Sequence, residues 1–315
     1  IATDAAGNVS ETQSVTLDIN DLDDVAPTVT SGATALAIED NSGAGQVIYT
    51  ATAEDFGDDV QSAPIIFSLE AGSDTALLIN SSTGEVTLSD NPLFYSQPTY
   101  SFSVIATDAN DNVSQPQTVL LSIIETLPQV AEVALTVDAG VSDDGISNNG
   151  EITVTGIKLG AQWEYSIDNG ANWALGSVDS DVQAATFNLP VDGDYQILVR
   201  QSNTAGMGPM SSVLTVTIDT VAPELLALNS SVEDGTITAV FSELLGSTTP
   251  SADGFQVTQG GETVEVSSVA VDGSSVVLTA EGLTDSALQV SYTPNLNPIQ
   301  DVAGNTVPAF TQMVV

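Results

Sequence analysis

The sequence predicts an all-β chain of tandem β-sandwich domains, and three observations carry this prediction. Short runs of alternating apolar and polar residues, such as 47–53, 151–156 and 195–200, lie between clusters of Gly, Asn, Asp and Ser, a pattern typical of half-buried strands joined by turns. No stretch keeps a helical period between helix caps. The chain also repeats itself: residues 1–10 read IATDAAGNVS and residues 105–114 read IATDANDNVS, a separation of roughly one small domain.

Recurring junction phrases divide the chain into four segments. The phrase DDVAP at 23–27 returns as DTVAP at 219–223, and ETLP at 125–128 is a weaker boundary; the prolines stiffen such junctions. The predicted segments are a strand remnant of a preceding domain at 1–21 and three domains at 22–127, 128–220 and 221–315. About 20 residues cannot bury a core. The first segment is therefore expected to be either the end of a domain from a longer chain or a strand that pairs with the sheet edge of another chain.

The charge balance restricts the partners. The chain has 42 Asp and Glu but only 2 Lys and Arg, which gives a net charge of −40. Nucleic acid and anionic membranes bind through Lys and Arg, so neither is expected as a partner. Such a charge also makes the compact state repel itself, and salt or bound divalent cations would offset that repulsion. No apolar run approaches the ~20 residues of a membrane-spanning helix, so membrane insertion is not expected.

The missing residue types argue against most catalytic chemistry. The chain has no Cys and no His, which excludes the usual zinc sites and Ser–His–Asp or Cys–His catalysis. A glycosidase needs only two carboxylates, but no Asp or Glu pair stands out from the turns. We therefore expect no enzyme activity.

One of the two repeat copies ends in a linker rich in oxygen ligands. The first copy is followed by Asp18, Asn20, Asp21, Asp23 and Asp24, whereas the second has Ser122, Ile124 and Glu125 at places matching the first three of these. Calcium takes about 6–8 hard oxygens from carboxylates, Asn side chains and carbonyls. The first linker is thus a candidate calcium site, and the second is expected to bind calcium weakly or not at all. The alternative is that these turn residues only shape and solvate loops.

Residues 1–126 resemble bacterial cadherin-like repeats. The resemblance is carried by AIEDNSGAG at 37–45, INSSTGEV at 79–86, YSFSVIATDAND at 100–111 and the linker DINDLDDVAP at 18–27. In that family calcium binds between consecutive repeats. The resemblance, together with the linker composition, indicates these calcium ligands: Asp4, Asp18, Asn20, Asp21, Asp23, Glu39, Asp55 and Asp108. The stretch PLFYSQPTY at 92–100 departs from the family because it lacks the carboxylates usual there.

Residues 130–220 resemble an immunoglobulin-like repeat of large bacterial adhesins, through VDAGVSDDGISNNGEITVTG at 137–156 and WEYSIDNGANW at 163–173. Its acidic turn, with Asp138, Asp143 and Asp144, lacks the spacing of an EF-hand and is a weaker calcium candidate, as is Asp219. The aromatic residues Trp163, Tyr165 and Trp173 either stack on a sugar or pack inside the domain.

Residues 222–315 resemble a third type of bacterial surface repeat, found in adhesins and in a cyanobacterial motility protein. The matching phrases are ITAVFSELL at 237–245, FQVTQGG at 255–261 and LQVSYTPNLNPIQDVAGN at 288–305. Phe241, Phe255 and Tyr292 are predicted core residues. Asp301, a further weak calcium candidate, lies with Asn305 in a turn like that of Asp4 and Asn8.

Together these features predict cadherin-like and immunoglobulin-like sandwiches arranged as an elongated rod. The resemblances imply a calcium-stiffened stalk segment of a large RTX-type bacterial surface adhesin that mediates attachment or biofilm formation. They also imply an extracellular location, export by type I secretion and neighbouring repeats of the same chain as partners; the distal ligand is not indicated. Two alternatives stay open: a sugar- or peptide-binding module, and a self-assembling filament in which strand 1–21 completes a neighbour's sheet.

Overall fold

A computed structural model describes residues 1–18, 23–55, 64–177 and 183–314. The chain divides into two compact units, Ile1–Thr126 and Leu127–Val315. The prediction of an all-β fold is confirmed: within the described residues the structure is made of strands, turns and one 3-10 helix, Ala252–Gly254.

The first unit is a β-sandwich. One sheet has the order β2-β9-β8-β5, a second has the order β3-β7-β6, and β1 pairs with β4. Strands β8 and β9 bury alternate residues, and Phe102, Val104 and Leu121 lie in the core. The strands are β1 Thr28–Val29, β2 Ile38–Glu39, β3 Val47–Thr50, β4 Ala53–Glu54, β5 Ile66–Leu69, β6 Leu77–Ile79, β7 Glu85–Leu88, β8 Thr99–Thr107 and β9 Gln117–Ile124.

Residues 1–18 form no strand. An isolated antiparallel bridge joins Thr3 to Val9 across a turn, and the side chains of Val15 and Leu17 are 88% and 83% exposed. Alternation predicts a strand from residue 14 onward, but alternation alone does not make one, because a strand needs a neighbour to accept and donate its backbone hydrogen bonds. The rest of that predicted strand, 19–21, lies outside the described residues.

The second unit begins with a sandwich of a three-stranded sheet, β10-β12-β15, and a sheet of order β11-β18-β16-β13-β14 with β17 paired to β16. Its core contains Ile152, Val154, Ile197 and Val199. The strands are β10 Glu132–Leu135, β11 Ile146–Ser147, β12 Glu151–Thr155, β13 Gln162–Ser166, β14 Ala174–Leu175, β15 Ala184–Asn188, β16 Gly193–Asn203, β17 Gly206–Met207 and β18 Leu214–Ile218.

A second sandwich follows in the same unit, with sheets of order β19-β20-β24-β23 and β22-β21-β25-β26. The predicted core residues Phe241, Phe255 and Tyr292 are confirmed as buried. The strands are β19 Leu225–Ser231, β20 Thr236–Phe241, β21 Phe255–Gln259, β22 Glu262–Val264, β23 Val266–Asp272, β24 Ser275–Ala280, β25 Leu288–Tyr292 and β26 Phe310–Val314.

The aromatic residues of the 128–220 segment mostly fill its interior. Trp163 is 4% exposed, and Tyr165 stacks on Phe187 with ring centroids 4.0 Å apart. Trp173 is half-buried, and the Arg200 guanidinium lies over its ring at 4.0 Å. The packing of Trp163 agrees with an internal role and leaves no open three-ring platform for a sugar.

Candidate metal centres

Among the described residues, one hydrogen-bonded turn that starts with Asp and ends four residues later with Asn occurs four times. In each copy the Asn backbone N–H donates to Oδ1 of the Asp at 2.8–2.9 Å, and the Asn Nδ2 donates to Oδ2 at 2.6–2.9 Å. The pairs are Asp4/Asn8, Asp108/Asn112, Asp168/Asn172 and Asp301/Asn305. Donors aimed at an ionised carboxylate favour its charged form, so this turn holds a negatively charged Asp in a defined position.

The pKa values of three of these aspartates, Asp4, Asp108 and Asp168, follow from the donors. Hydrogen bonds from Asn8 lower the pKa of Asp4 below its usual value. Hydrogen bonds from Asn172 lower the pKa of Asp168 to about 2. Burial of Asp108 opposes ionisation, but the hydrogen bonds from Asn112 and Asn110 outweigh it, so its pKa is also lowered. These three carboxylates stay ionised under neutral and mildly acidic conditions.

The first unit gathers three carboxylates, which we call cluster 1: Asp23, Asp55 and Asp108. One oxygen from each lies within 4.8 Å of the others, and Asp23 and Asp108 are 5% and 3% exposed. Pairing of β1 with β4 brings the chain after Asp23 beside the strand before Asp55. Asp108 directly follows β8.

The Asn of the turn ties cluster 1 together. Asn112 Nδ2 donates to Oδ2 of Asp108 at 2.9 Å and to the backbone carbonyl of Asp23 at 3.1 Å. The amide thus positions one carboxylate and fixes the backbone of the next. The separation of the clustered oxygens is therefore set by the fold and not by long flexible side chains.

The second unit contains an equivalent group, which we call cluster 2: Asp219, Glu243 and Asp301. One oxygen from each again lies within 4.8 Å of the others, and Asp301 is 1% exposed. Asp219 directly follows β18, Glu243 lies just beyond β20, and Asp301 lies between β25 and β26. Asn305 Nδ2 donates to Asp301 Oδ2 and to the backbone carbonyl of Asp219, both at 2.8 Å.

The two clusters share one construction. Each combines the Asp of a junction phrase, DDVAP or DTVAP, with the Asp of an Asp-x-x-x-Asn turn and one carboxylate from a strand end. In each, the turn's Asn donates to the backbone carbonyl of the junction Asp. The same arrangement therefore arises at two junction phrases whose neighbouring sequences resemble different repeats.

The three carboxylates of cluster 2 repel one another, and a bound cation would reduce that repulsion. Burial raises the pKa of Glu243, and the negative charges of Asp219 and Asp301 raise it further. A divalent cation would have the opposite effect on this pKa, because its own charge favours the ionised form of each carboxylate around it.

The donor sets fit a hard divalent cation. Calcium–oxygen distances of about 2.3–2.6 Å place oxygens on opposite sides of one ion about 5 Å apart, and the clustered oxygens lie within 4.8 Å. Carboxylate oxygens are the ligands that calcium prefers, whereas a zinc site is normally built with His or Cys, and the chain has neither. Each cluster can supply three protein ligands to one calcium ion.

Of the residues predicted as calcium ligands, the structure brings together Asp23, Asp55 and Asp108 in cluster 1, and Asp219 and Asp301 in cluster 2. Asn20 and Asp21 lie outside the described residues. Over the described ranges, the remaining predicted ligands join no group of three carboxylates at this spacing; they are Asp4, Asp18, Glu39, Asp138 and Asp143. For these residues calcium binding stays a prediction.

The acidic turn of the 128–220 segment is organised by a backbone contact. The Asp143 N–H donates to Asp138 Oδ2 at 2.6 Å, and Asp143 has a φ of +66°. Oδ1 of Asp138 is buried without a hydrogen-bond partner among the described residues. The turn thus uses one oxygen of Asp138 to shape its own backbone.

Glu243 is the cluster residue that the sequence reasoning missed. It lies in the phrase FSELL, between the core residues Phe241 and Leu245. A carboxylate that interrupts an apolar run just after a strand is the signal that identifies it, since even partial burial of a charge is costly without a partner.

Comparisons with known proteins give only distant structural likeness. No protein-family profile matches the chain, and no curated protein matches it. Among solved structures it is similar to extracellular cadherin domains 1–5 of protocadherin gamma B2, with 15% identity and a TM-score of 0.37, over 94% of this chain and 60% of that one. It is also similar to the human desmocollin-1 ectodomain, with 14% identity and a TM-score of 0.32, over 92% and 58%.

Chicken CNTN1 FN1–FN3 domains match with 14% identity and a TM-score of 0.30, over 79% of this chain and 89% of that one. The chain thus spans about three-fifths of the length of the protocadherin and desmocollin structures. The assignment to the all-β class rests on the strands themselves. No helix in the described ranges has the length and apolarity needed to cross a membrane.

Proposed function

We propose that this chain is a calcium-binding stalk segment of an extracellular adhesion protein. The observation that carries the proposal is the pair of equivalent three-carboxylate clusters, each next to a domain junction phrase. The cadherin-like repeat phrases of residues 1–126 and the charge of −40 support it. Calcium would act as a structural ligand at both clusters, and the chain would perform no catalysis.

The physical role of calcium follows from where the clusters lie. Each cluster gathers residues that are far apart in sequence, from 23 to 108 and from 219 to 301, so its complete ligand set exists only in the folded domain. A ligand that binds only the folded state stabilises it by RT ln(1 + [L]/Kd), about 2.7 kcal/mol at a hundredfold excess over Kd. The folded chain would be less stable where calcium is scarce and more stable where calcium is abundant, outside the cell.

Calorimetric titration of the full chain with calcium tests this proposal. Asp55→Asn and Glu243→Gln each remove one ligand of one cluster without removing the Asp of a turn. Their matched controls are Glu54→Gln and Glu233→Gln, which make the same charge change at exposed positions. We expect each cluster variant to lose one binding event and each control to keep both.

Thermal unfolding in calcium and in EDTA at matched ionic strength gives a second readout. The native chain is expected to unfold at a higher temperature in calcium, and a double Asp55→Asn, Glu243→Gln variant to lose that difference. Equal unfolding midpoints for the native chain in both solutions, with no heat of calcium binding, would contradict the proposal that calcium stabilises the fold. The acidic surface would then serve only solubility.

The bacterial setting is a further part of the proposal. It is supported by the sequence phrases that resemble repeats of RTX-type bacterial adhesins, and type I secretion and biofilm formation follow only from that resemblance. Antibody labelling of intact cells, with and without the type I exporter, tests it. Labelling that persists without the exporter would contradict the export route.

A self-assembling filament is the second candidate function, favoured by one observation. Residues 1–18 expose apolar side chains, including Val15 and Leu17, in a segment without a sheet partner among the described residues. Sedimentation velocity over a wide concentration range tests this candidate. A strict monomer, whether residues 1–18 are present or deleted, would dismiss it.

A further inference from the structure

We propose that the domains 128–220 and 221–315 are held in one orientation by a metal-independent lock. The lock is the contact between residues 139–148, which include β11, and residues 302–305, which follow β25. It goes beyond the proposed calcium function, because it predicts a joint that keeps its geometry when calcium is removed.

Two glycines allow the backbones of the lock to meet. Gly140 has a φ of +81°, and a Cβ built on it would lie 2.1 Å from the Val302 carbonyl oxygen. Gly304 has a φ of +93°, and a Cβ there would lie 2.8 Å from the Gly140 nitrogen. Real Cβ atoms do not approach that closely, so each backbone occupies the space that a side chain on the other would need.

Three hydrogen bonds join the same surfaces. The Val141 N–H donates to the Val302 carbonyl at 3.1 Å, and the Asn148 N–H donates to the Ala303 carbonyl at 3.0 Å. The Asn305 Nδ2 donates to the Asp219 carbonyl at 2.8 Å. All three acceptors are backbone carbonyls, and the two bonds between backbone groups involve neither a metal ion nor a carboxylate.

The lock lies beside cluster 2 and opposes its repulsion. Without a cation, Asp219 of one domain repels Glu243 and Asp301 of the other across the same joint, because their oxygens lie within 4.8 Å. Ala303 is fully buried, so opening the joint would expose apolar surface and break backbone hydrogen bonds. Because the contact is between backbones, few side chains could change rotamer to accommodate a different angle between the two domains. We therefore expect one orientation with and without calcium.

Pulsed EPR distance measurement tests the lock directly. The chain has no cysteine, so the full-length protein carrying Thr186→Cys and Ala270→Cys takes two spin labels and no others. Both positions are exposed, in β15 and β23 on the two sides of the joint. We expect the same single narrow distance distribution in calcium and in EDTA.

Matched glycine variants distinguish disruption of the lock contact from the backbone strain that a side chain causes at any glycine of positive φ. Gly140→Ala is compared with Gly282→Ala, since both glycines have a φ of +81° and only Gly282 faces open space. Gly304→Ala is compared with Gly261→Ala, since both have a φ of +93° and only Gly261 faces open space. We expect the two lock variants to lose the single narrow distance in EDTA and the two controls to keep it.

Several outcomes overturn the inference. A broad distribution for the native chain in EDTA shows that the joint needs metal, and this comparison requires no variant. Lock variants whose distance distributions in EDTA stay as narrow as those of their controls show that the glycine contact does not set the orientation. Circular dichroism of each variant confirms that both sandwiches stay folded. Calcium titration of the native chain is a separate measurement, so the calcium proposal and the lock can fail independently.

Discussion

Replacing Glu243 by Gln should change stability in opposite directions in the two solutions. In EDTA the substitution removes one of the three charges of cluster 2, and with it two repulsive pairs. The clustered oxygens lie within 4.8 Å of one another, and at that upper limit each pair of unit charges costs about 0.9 kcal/mol in bulk water and about 3.5 kcal/mol at an effective dielectric constant of 20. Because Glu243 is only half-buried, the lower value applies best, and relaxation and salt reduce it further.

We therefore expect Glu243→Gln to stabilise the metal-free domain by about 1 kcal/mol, which raises the unfolding midpoint of a domain this size by about 4–8 °C. In calcium the same variant lacks a ligand, so its midpoint should rise less than that of the native chain. Differential scanning calorimetry in EDTA and in calcium measures both effects, with Glu233→Gln as the control. A variant that unfolds at a lower temperature than native in EDTA, or that keeps the full calcium response, would refute the reasoning.

Three other changes test the packing and the turns. Leu278→Ala in the core of 221–315 should cost about 2–5 kcal/mol through lost burial and a cavity, and an unchanged urea midpoint would contradict the assigned core. Gly84→Ala should destabilise more than Gly273→Ala, because a Cβ at Gly84 would lie 2.5 Å from a backbone carbonyl oxygen while Gly273 faces open space; equal midpoints would contradict this. Hydrogen bonds from Asn172 lower the pKa of Asp168 to about 2, so its contribution is present above about pH 3.8 and is lost as pH falls through about 2. Unfolding followed by tryptophan fluorescence should therefore show that the native chain is more stable than Asp168→Asn at pH 5 and that this stability difference disappears near pH 2. A stability difference that does not change with pH would exclude this linkage.

Much of the fold could be predicted from residue patterns. The alternation that predicts strands at 47–53 and 195–200 corresponds to β3 and the adjoining β4 and to part of β16, because a sheet with one buried face imposes that period. Segment 14–18 shows the limit: it alternates, but it forms no strand in the described structure. Pairing depends on a neighbouring strand, which periodicity does not reveal.

The candidate site was predictable in part. Asp55 and Asp108 lie in motifs that resemble calcium-binding repeats, and Asp23 belongs to a linker dense in oxygen ligands, so the members of cluster 1 were all named. Glu243 could not be placed with Asp219 and Asp301, because those residues are separated by at least one whole strand pair and their meeting depends on how two sandwiches close. The likeness of the turns at Asp4 and Asp301 was visible in the sequence, although only the latter joins a cluster among the described residues.

The sequence by itself determined the all-β class, the junction phrases and the absence of His and Cys, because each depends on residue type or on spacing over a few positions. Only the tertiary structure decided which carboxylates meet. It also decided that Trp163 is a core residue and that Gly140 faces Gly304. These outcomes depend on contacts between residues far apart in the chain, which are set by strand pairing and packing.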